Sequence, residues 1–311
     1  MTTASAPGKI ILFGEHAVVY GRPAIAVPVR HVRATAEVRP LDAQPRGVVR
    51  IESHQIDLSS WMDALDPKHP IRRIVELTLL ETGASDFPAL SVGIRSTIPV
   101  AGGLGSGAAV SVAVARALSQ QLGKPLPNDR VNALAFEIEK IHHGNPSGID
   151  NTVVTYDCPV YFRRGQPVGS FPVGRPLTLL VGDTGLSAST AAAVEGVRVR
   201  WERDRQTFEA IFDAIGVTVD RAREAIVRGE NQRLGPLMDH NQELLEAMGV
   251  SAPELRRLVW AAREAGARGA KLSGAGGGGN MIALVDETSV DAVAAALRAA
   301  GAVSVFPTVV S

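Results

Sequence analysis

Two carboxylates and one lysine are the residues of this chain best suited to chemistry. The stretch Glu137-Ile-Glu-Lys-Ile-His-His-Gly-Asn-Pro-Ser-Gly-Ile-Asp150 carries acidic residues along an expected helix and then turns, through glycine and proline, to a further carboxylate. Glu139 and Asp150 can thereby face one cavity. A single Glu suits Mg2+, which keeps water and substrate phosphates in an octahedral oxygen shell. An Asp in a turn near a lysine suits acceptance of a hydroxyl proton in phosphoryl transfer, a reaction that otherwise rests on positioning and charge stabilisation. The plainer alternative is a solvated helix face ending in an Asx turn. His142 and His143 face different ways on a helix and lack the spacing of a His-Glu-x-x-His zinc site, which leaves packing or capping roles.

The lysine lies in Pro7-Gly-Lys-Ile-Ile-Leu-Phe-Gly-Glu-His-Ala-Val-Val-Tyr-Gly21. Side chains alternate between faces along a strand, so Lys9 marks one end of a short apolar run, and Glu15 and His16 follow the Gly14 turn at the other. A surface lysine and a satisfied turn histidine are the bland reading.

Two glycine loops complete the set. Ile98-Pro-Val-Ala-Gly-Gly-Leu-Gly-Ser-Gly-Ala-Ala-Val-Ser111 runs directly into the first turn of an expected helix. Glycines at 102, 103, 105 and 107 permit φ > 0 and close approach to a ligand, while the first N–H groups of the helix and its dipole favour an anion. A tight connection without a ligand is the alternative. No lysine occurs between Arg95 and Lys124, so the loop is not a Walker P-loop. Gly103, Gly105 and Ala108 fit a loose dinucleotide pattern, but Pro99 interrupts the strand that should precede it, and only Asp129 supplies an acidic residue about 20 positions on. Lys271-Leu-Ser-Gly-Ala-Gly-Gly-Gly-Gly-Asn280 is the second loop, which alone also reads as a bulged turn.

The elements that must position these residues follow from periodicity. Short apolar runs broken by Pro7, Gly14, Gly21 and Pro28 indicate strands from Ser5 to Arg39. Helical spacing recurs at Ile71 to Thr82, Ala108 to Leu122 and Asn128 to His142, the last ended by Gly144 to Gly148. Val160 to Phe162 and Leu177 to Val181 read as strands. The charged, periodic region from Ser189 to Gly266 reads as helices near 189–215, 219–229, 231–248 and 252–266. A strand over Met281 to Val285, a helix over Ser289 to Ala300 and a closing strand end the chain. We expect domains at 1–180 and 181–311, with the last strand free to return to the first.

With 311 residues, 32 basic against 32 acidic side chains and a net charge of +0, the chain has material for about two domains and no global field for nucleic acid or an anionic membrane. Cys158 is the sole cysteine, which excludes an intrachain disulfide and favours a reducing compartment. No secretory leader, membrane-spanning run, repeat or low-complexity segment is evident, so a cytoplasmic location is expected.

Taken together, the three blocks resemble, in order and separation, the motifs of the galactokinase, homoserine kinase, mevalonate kinase and phosphomevalonate kinase superfamily, over nearly the whole chain. Gly14-Glu-His-Ala-Val-Val-Tyr-Gly21 and His143-Gly-Asn-Pro-Ser-Gly-Ile-Asp-Asn151 are similar to its mevalonate kinase branch. The resemblance implies an α+β, two-domain small-molecule kinase fold, with an N-terminal ribosomal protein S5 domain 2-like domain and a C-terminal ferredoxin-like domain. It implies ATP and Mg2+ as cofactors and mevalonate as the small-molecule partner, with a homodimer left open. Asp150 is then the general base toward the C5 hydroxyl, with Lys9 beside it stabilising the developing alkoxide and the moving phosphoryl group and also meeting ATP. Ala101, Gly102, Gly103, Leu104, Gly105, Ser106 and Gly107 wrap the phosphates, and Gln55 and Ser96 contact nucleotide. Glu15, His16, Ser147, Thr190 and Gly276 join Asp150 in holding substrate, and the loop 274–279 supports the phosphate loop.

One position departs from the family pattern Gly-Leu-Gly-Ser-Ser-Ala: Gly107 stands where a serine hydroxyl would meet the metal. Ser106 or water can take that place, or Glu139 can hold the ion with ATP alone. The rival readings are a phosphomevalonate kinase or diphosphomevalonate decarboxylase of the same superfamily, a dinucleotide-dependent oxidoreductase, and a silent nucleotide-binding regulator. The intact Lys9, Glu139 and Asp150 argue against the last.

Overall fold

Alternation shapes the longest strand. In Ala24–Pro40 the side chains of Val32, Ala34, Ala36 and Val38 are buried, while Arg33, Thr35 and Glu37 between them are half-exposed, the period-two pattern of a sheet with one face covered. The computed structural model describes residues 1–99, 102–143, 146–187 and 189–311. Ala101 and the side chains of His142 and His143 lie outside what is described.

In chain order the elements are β1 (Thr2–Phe13), β2 (Ala24–Pro40), β3 (Val49–Ser53), β4 (Leu58–Trp61), α1 (Pro70–Glu81), β5 (Leu90–Ser96), α2 (Ser106–Gln121), α3 (Asn128–His143), α4 (Ile149–Tyr156), β6 (Val160–Phe162), β7 (Gly169–Ser170) and β8 (Leu177–Asp183). There follow α5 (Thr190–Arg203), α6 (Arg205–Arg228), α7 (Leu234–Ala247), α8 (Pro253–Glu264), β9 (Gly269–Ser273), β10 (Asn280–Val285), α9 (Val290–Ala299) and β11 (Ser304–Val310).

Contacts divide the chain into two units that interleave in sequence, rather than at a single cut near residue 180. Of the described residues, the first unit takes 1–9, 32–99 and 104–157, and the second 10–31, 102–103 and 158–311. In the first unit the strand order is β4-β3-β5-β2, with β3 parallel to β5 and the other pairs antiparallel. Its central helix is α2, whose Ala109, Val112, Ala113, Val114, Ala117 and Leu118 are buried. Alanines on this helix let α1, α3 and α4 pack closely around it.

In the second unit the start of β2 pairs with β6, Ala24 facing Phe162. A separate antiparallel sheet has the order β11-β8-β10-β9. Numbered from β8 in chain order, this is fourth, first, third, second, with helices in the first and last connections, the topology of a ferredoxin-like domain. The closing strand β11 pairs with β8, Val310 facing Leu177.

The charged helical region is divided differently from the expectation. One helix, α6, runs through Gly216, and the break falls at Asp204, whose carboxylate accepts the Thr207 N–H at 3.1 Å as an N-cap. Gly216 serves packing: a Cβ there would stand 3.2 Å from Cγ of Arg22. No helix among the described residues is long and apolar enough to cross a membrane.

Candidate active site

The first glycine loop reaches α2 through Gly105, its N-cap, in the left-handed conformation at φ 72°. Lys9 is bound to this point twice. Its N–H donates to the Leu104 carbonyl at 2.9 Å, and its Cγ would lie only 2.8 Å from a Cβ placed on Gly105. Glycine is thus required both for the backbone and for the lysine's path. Gly103 also has φ 72°, whereas Gly107 has the right-handed backbone of the helix. Gly107 is already the second residue of α2, so its N–H, like that of Ser106, is one of the unpaired donors of the helix start. That arrangement suits phosphate, with the positive end of the helix dipole behind it.

Asp150 is the partner of Lys9: Nζ and Oδ1 are 3.0 Å apart, the lysine nearly buried and the carboxylate a quarter exposed. Asp150 does not occupy the turn expected for it. After Gly148 in the left-handed region, the chain starts α4, and Asp150 stands in its first turn, where the helix dipole favours a carboxylate. Ile149–Tyr156 is rich in β-branched residues and so reads poorly as a helix. A tertiary tie holds it: Asn151 Nδ2 donates to Asn132 Oδ1 on α3 at 2.7 Å, while Thr152 Oγ1 makes a local bond to the Gly148 carbonyl at 2.7 Å.

Glu139, on α3, is 3% exposed. Burial pushes its carboxyl up to about 7, the nearby charge of Asp150 adds to the rise, and Lys9 opposes it. Glu139 therefore senses the charges of both Asp150 and Lys9. Ser147 is exposed, its Oγ accepting from the Ile149 N–H at 3.3 Å. Gln55 and Ser96 both act on Ile98: Gln55 Nε2 donates to its carbonyl at 2.9 Å, and Ser96 Oγ accepts its N–H at 3.1 Å. They fix the approach to the loop.

A second constellation belongs to the other unit. Glu15 and Lys271 form an ion pair with both side chains essentially out of solvent. Burial raises the Glu15 carboxyl and lowers the Lys271 ammonium, each against the pull of its partner. His16 follows in a strained backbone, φ 59° and ψ −50°, and its Nε2 lies 3.1 Å from the Ala275 carbonyl. Burial and then the charge of Arg200 lower the imidazole's affinity for a proton, the Ala275 contact opposing them. A carbonyl only accepts, so in the neutral ring Nε2 carries the hydrogen and Nδ1 is the acceptor.

The second glycine loop is held from behind. Gly276 has φ 80°, and a Cβ on it would fall 1.6 Å from the Val250 carbonyl oxygen, so no other residue fits. Its own carbonyl accepts the Ala252 N–H at 2.8 Å. Gly276 is thereby accounted for as a packing residue. Asn280, the first residue of β10 just after this loop, donates from Nδ2 to the Gly102 carbonyl. Thr190 is the exposed first residue of α5, after the N-cap Ser189.

Lys271, Asn280 and the Asn132–Asn151 pair are the residues that sequence reasoning passed over. Lys271 had a signal: a lysine within the apolar run before a glycine loop, where burial demands a partner. The asparagines had none, since their roles depend on which helices become neighbours.

A magnesium ion fits the first constellation on chemical grounds. Among the described residues there is no group of three or more His, Cys, Asp or Glu able to hold a metal. Mg2+ bound to nucleotide phosphates needs only one or two protein oxygens. Glu139 supplies a buried hard oxygen whose charge a cation would stabilise, and Ser106 a hydroxyl at the start of α2.

Family models match in two places: residues 69–157 match the GHMP kinases N terminal domain, and residues 222–303 the GHMP kinases C terminal domain. The mevalonate kinase of Pyrococcus abyssi is 38% identical, the alignment covering 97% of this chain and 93% of the relative. That of Thermococcus sibiricus is 39% identical, covering 96% and 93%. Among solved structures, L. major mevalonate kinase in complex with R-mevalonate superposes with a TM-score of 0.85 at 31% identity, covering 100% of this chain and 96% of that one. The α+β, two-domain kinase architecture is common to them.

Proposed function

We propose that this chain, which belongs to the GHMP kinase family, phosphorylates the C5 hydroxyl of mevalonate with ATP, releasing 5-phosphomevalonate and ADP. The observation that carries the reading is the Lys9–Asp150 pair beside Glu139, set against the start of α2. Relatives named mevalonate kinase, matched over almost their full length, support the substrate. They do not favour the phosphomevalonate kinase or decarboxylase alternatives.

Asp150 accepts the proton of the C5 hydroxyl as its oxygen attacks the γ-phosphorus of ATP; the bond from that phosphorus to the β,γ-bridging oxygen breaks, and ADP leaves. The Lys9 ammonium stabilises the charge on the attacking oxygen and on the transferred group. The N–H groups opening α2 receive phosphate oxygens. Glu139, with Ser106, would hold Mg2+, which would neutralise charge on the phosphates. Gln55 and Ser96 set the strand exit beside the nucleotide. Glu15, His16, Ser147, Thr190 and Gly276 are assigned to the substrate on the resemblance; a cytoplasmic location belongs to the same reading, which leaves the oligomeric state open.

A coupled ADP-release assay with Mg2+ over mevalonate, phosphomevalonate, diphosphomevalonate, homoserine and galactose tests the reading. Turnover with mevalonate well above the others is expected. A folded protein that releases ADP with none of them, or prefers another acceptor, overturns it.

A further inference from the structure

We propose that Lys271 is a positioning residue for the turn that carries His16: by pairing with Glu15 out of solvent, it holds the backbone from which the His16 ring is presented to substrate. The proposal rests on the mevalonate kinase reading and changes the part Glu15 plays in it. Glu15 becomes a strut inside the protein rather than a group that touches mevalonate.

Three polar ties join the end of β1 and its turn to β9 and the glycine loop after it. Ser273 Oγ donates to the Ile11 carbonyl at 2.7 Å, the Lys271 ammonium donates to Glu15, and the His16 ring donates to the Ala275 carbonyl at 3.1 Å. The middle tie is the costly one. Taking two charges out of water is repaid only by good geometry, and an apolar pair of similar volume commonly stabilises a fold as well or better. An apolar pair, however, fixes no direction.

Direction is needed here because of His16. Its φ of 59° with ψ of −50° is a conformation a non-glycine residue keeps only where its surroundings over-determine it. The residue before it is Glu15, locked by Lys271, and Lys271 is itself fixed by a second bond to the Leu272 carbonyl at 2.6 Å. Ala275, which receives the ring, precedes Gly276, which packs against the Val250 carbonyl and whose own carbonyl accepts the Ala252 N–H at 2.8 Å. Ring and backbone of His16 are thus tied to one rigid segment, with Lys271 at its head.

The test compares wild type with Ser273→Ala and with the paired change Glu15→Leu/Lys271→Met, which keeps volume and removes both charges together. Melting temperature, kcat, and KM for mevalonate and for ATP are measured. For the paired variant we expect a folded protein whose KM for mevalonate rises at least tenfold while KM for ATP stays within about twofold. Ser273→Ala, which leaves the charges balanced, should raise KM for mevalonate several-fold at an unchanged melting temperature. Wild-type constants in Ser273→Ala, or in a folded paired variant, overturn the proposal. If wild type itself does not turn over mevalonate, the functional reading fails instead. The clamp is then judged from a crystal structure of whichever variant folds: His16 leaving positive φ supports it, and His16 unmoved overturns it.

Discussion

Lys9 Nζ stands 3.0 Å from Asp150 Oδ1, so a residue from the first strand and one from the first turn of α4, 141 positions apart, form a single charged unit. A carboxylate in a helix first turn is already favoured by the dipole, and the ammonium favours it further. In the proposed reaction the carboxylate takes the proton of the acceptor hydroxyl and the ammonium stabilises the negative charge that develops.

Asp150→Asn keeps the shape of the side chain and removes its ability to accept a proton. General-base assistance is worth about 10²–10⁴-fold, so kcat should fall in that range, with ATP affinity within about twofold of wild type. ADP release and nucleotide titration on the same preparation check both statements. Near-normal turnover would remove Asp150 as the base.

Gly105→Ala tests how Lys9 is aimed. Alanine at φ 72° costs about 1 to 2 kcal/mol in the left-handed region, and its methyl group would meet Lys9 Cγ at 2.8 Å. The lysine must swing away from Asp150. We expect a loss in kcat of at least tenfold and a melting temperature a few degrees lower. In a Lys9→Met background the same glycine change should cost little further activity, because the two act through one contact. Additive losses in that cycle would show that Gly105 acts on something other than Lys9.

Much of this site was legible because phosphate chemistry restricts residue types. A cradle needs glycines before a helix, and a base needs a carboxylate near a cation, so Gly105, Lys9, Glu139 and Asp150 could be picked out by type and order. Their partners could not. That Asp150 opens a helix depends on Asn151 reaching Asn132, and that Gly216 lies within α6 depends on Arg22 packing against it. The short strands Val49–Ser53 and Leu90–Ser96 were missed because each is held between two partner strands, and the parallel pairing of one with the other joins residues far apart in sequence.

Glu139 gives the protein a pH dependence with a defined sign. Its carboxyl is raised from 4.5 to about 7 in the folded state, so the folded protein binds more protons than the unfolded chain between those values. The stability it contributes is complete below pH 4.5 and is lost as pH rises through 7. Relative to wild type, Glu139→Gln should therefore gain melting temperature at pH 8 and gain least at pH 5. Mg2+ needs the ionised form, so without other ligands changing, apparent Mg2+ affinity should climb from pH 6 to 8 in wild type and stay flat in Glu139→Gln. Thermal scans and titrations of the ATP complex with Mg2+ across that range read both effects. A wild-type profile with no pH dependence would place the Glu139 titration elsewhere.

Gly107→Ser asks whether the missing hydroxyl matters to the metal. Gly107 is the second residue of α2 with right-handed backbone, and its carbonyl accepts the Ser111 hydroxyl at 2.9 Å. A side chain at this position therefore meets no backbone penalty, and replacing glycine in a helix usually stabilises it by a few tenths of a kcal/mol up to about 1. If the serine joins Glu139 and Ser106 around the ion, the Mg2+ concentration giving half-maximal turnover should fall several-fold, with kcat altered less than threefold. The pH dependence of Mg2+ affinity should also weaken, because one more neutral ligand reduces the share carried by the Glu139 carboxylate. Unchanged Mg2+ dependence in a folded Gly107→Ser protein would mean that this position stands outside the metal shell, and that Glu139, Ser106, ATP and water complete it without help.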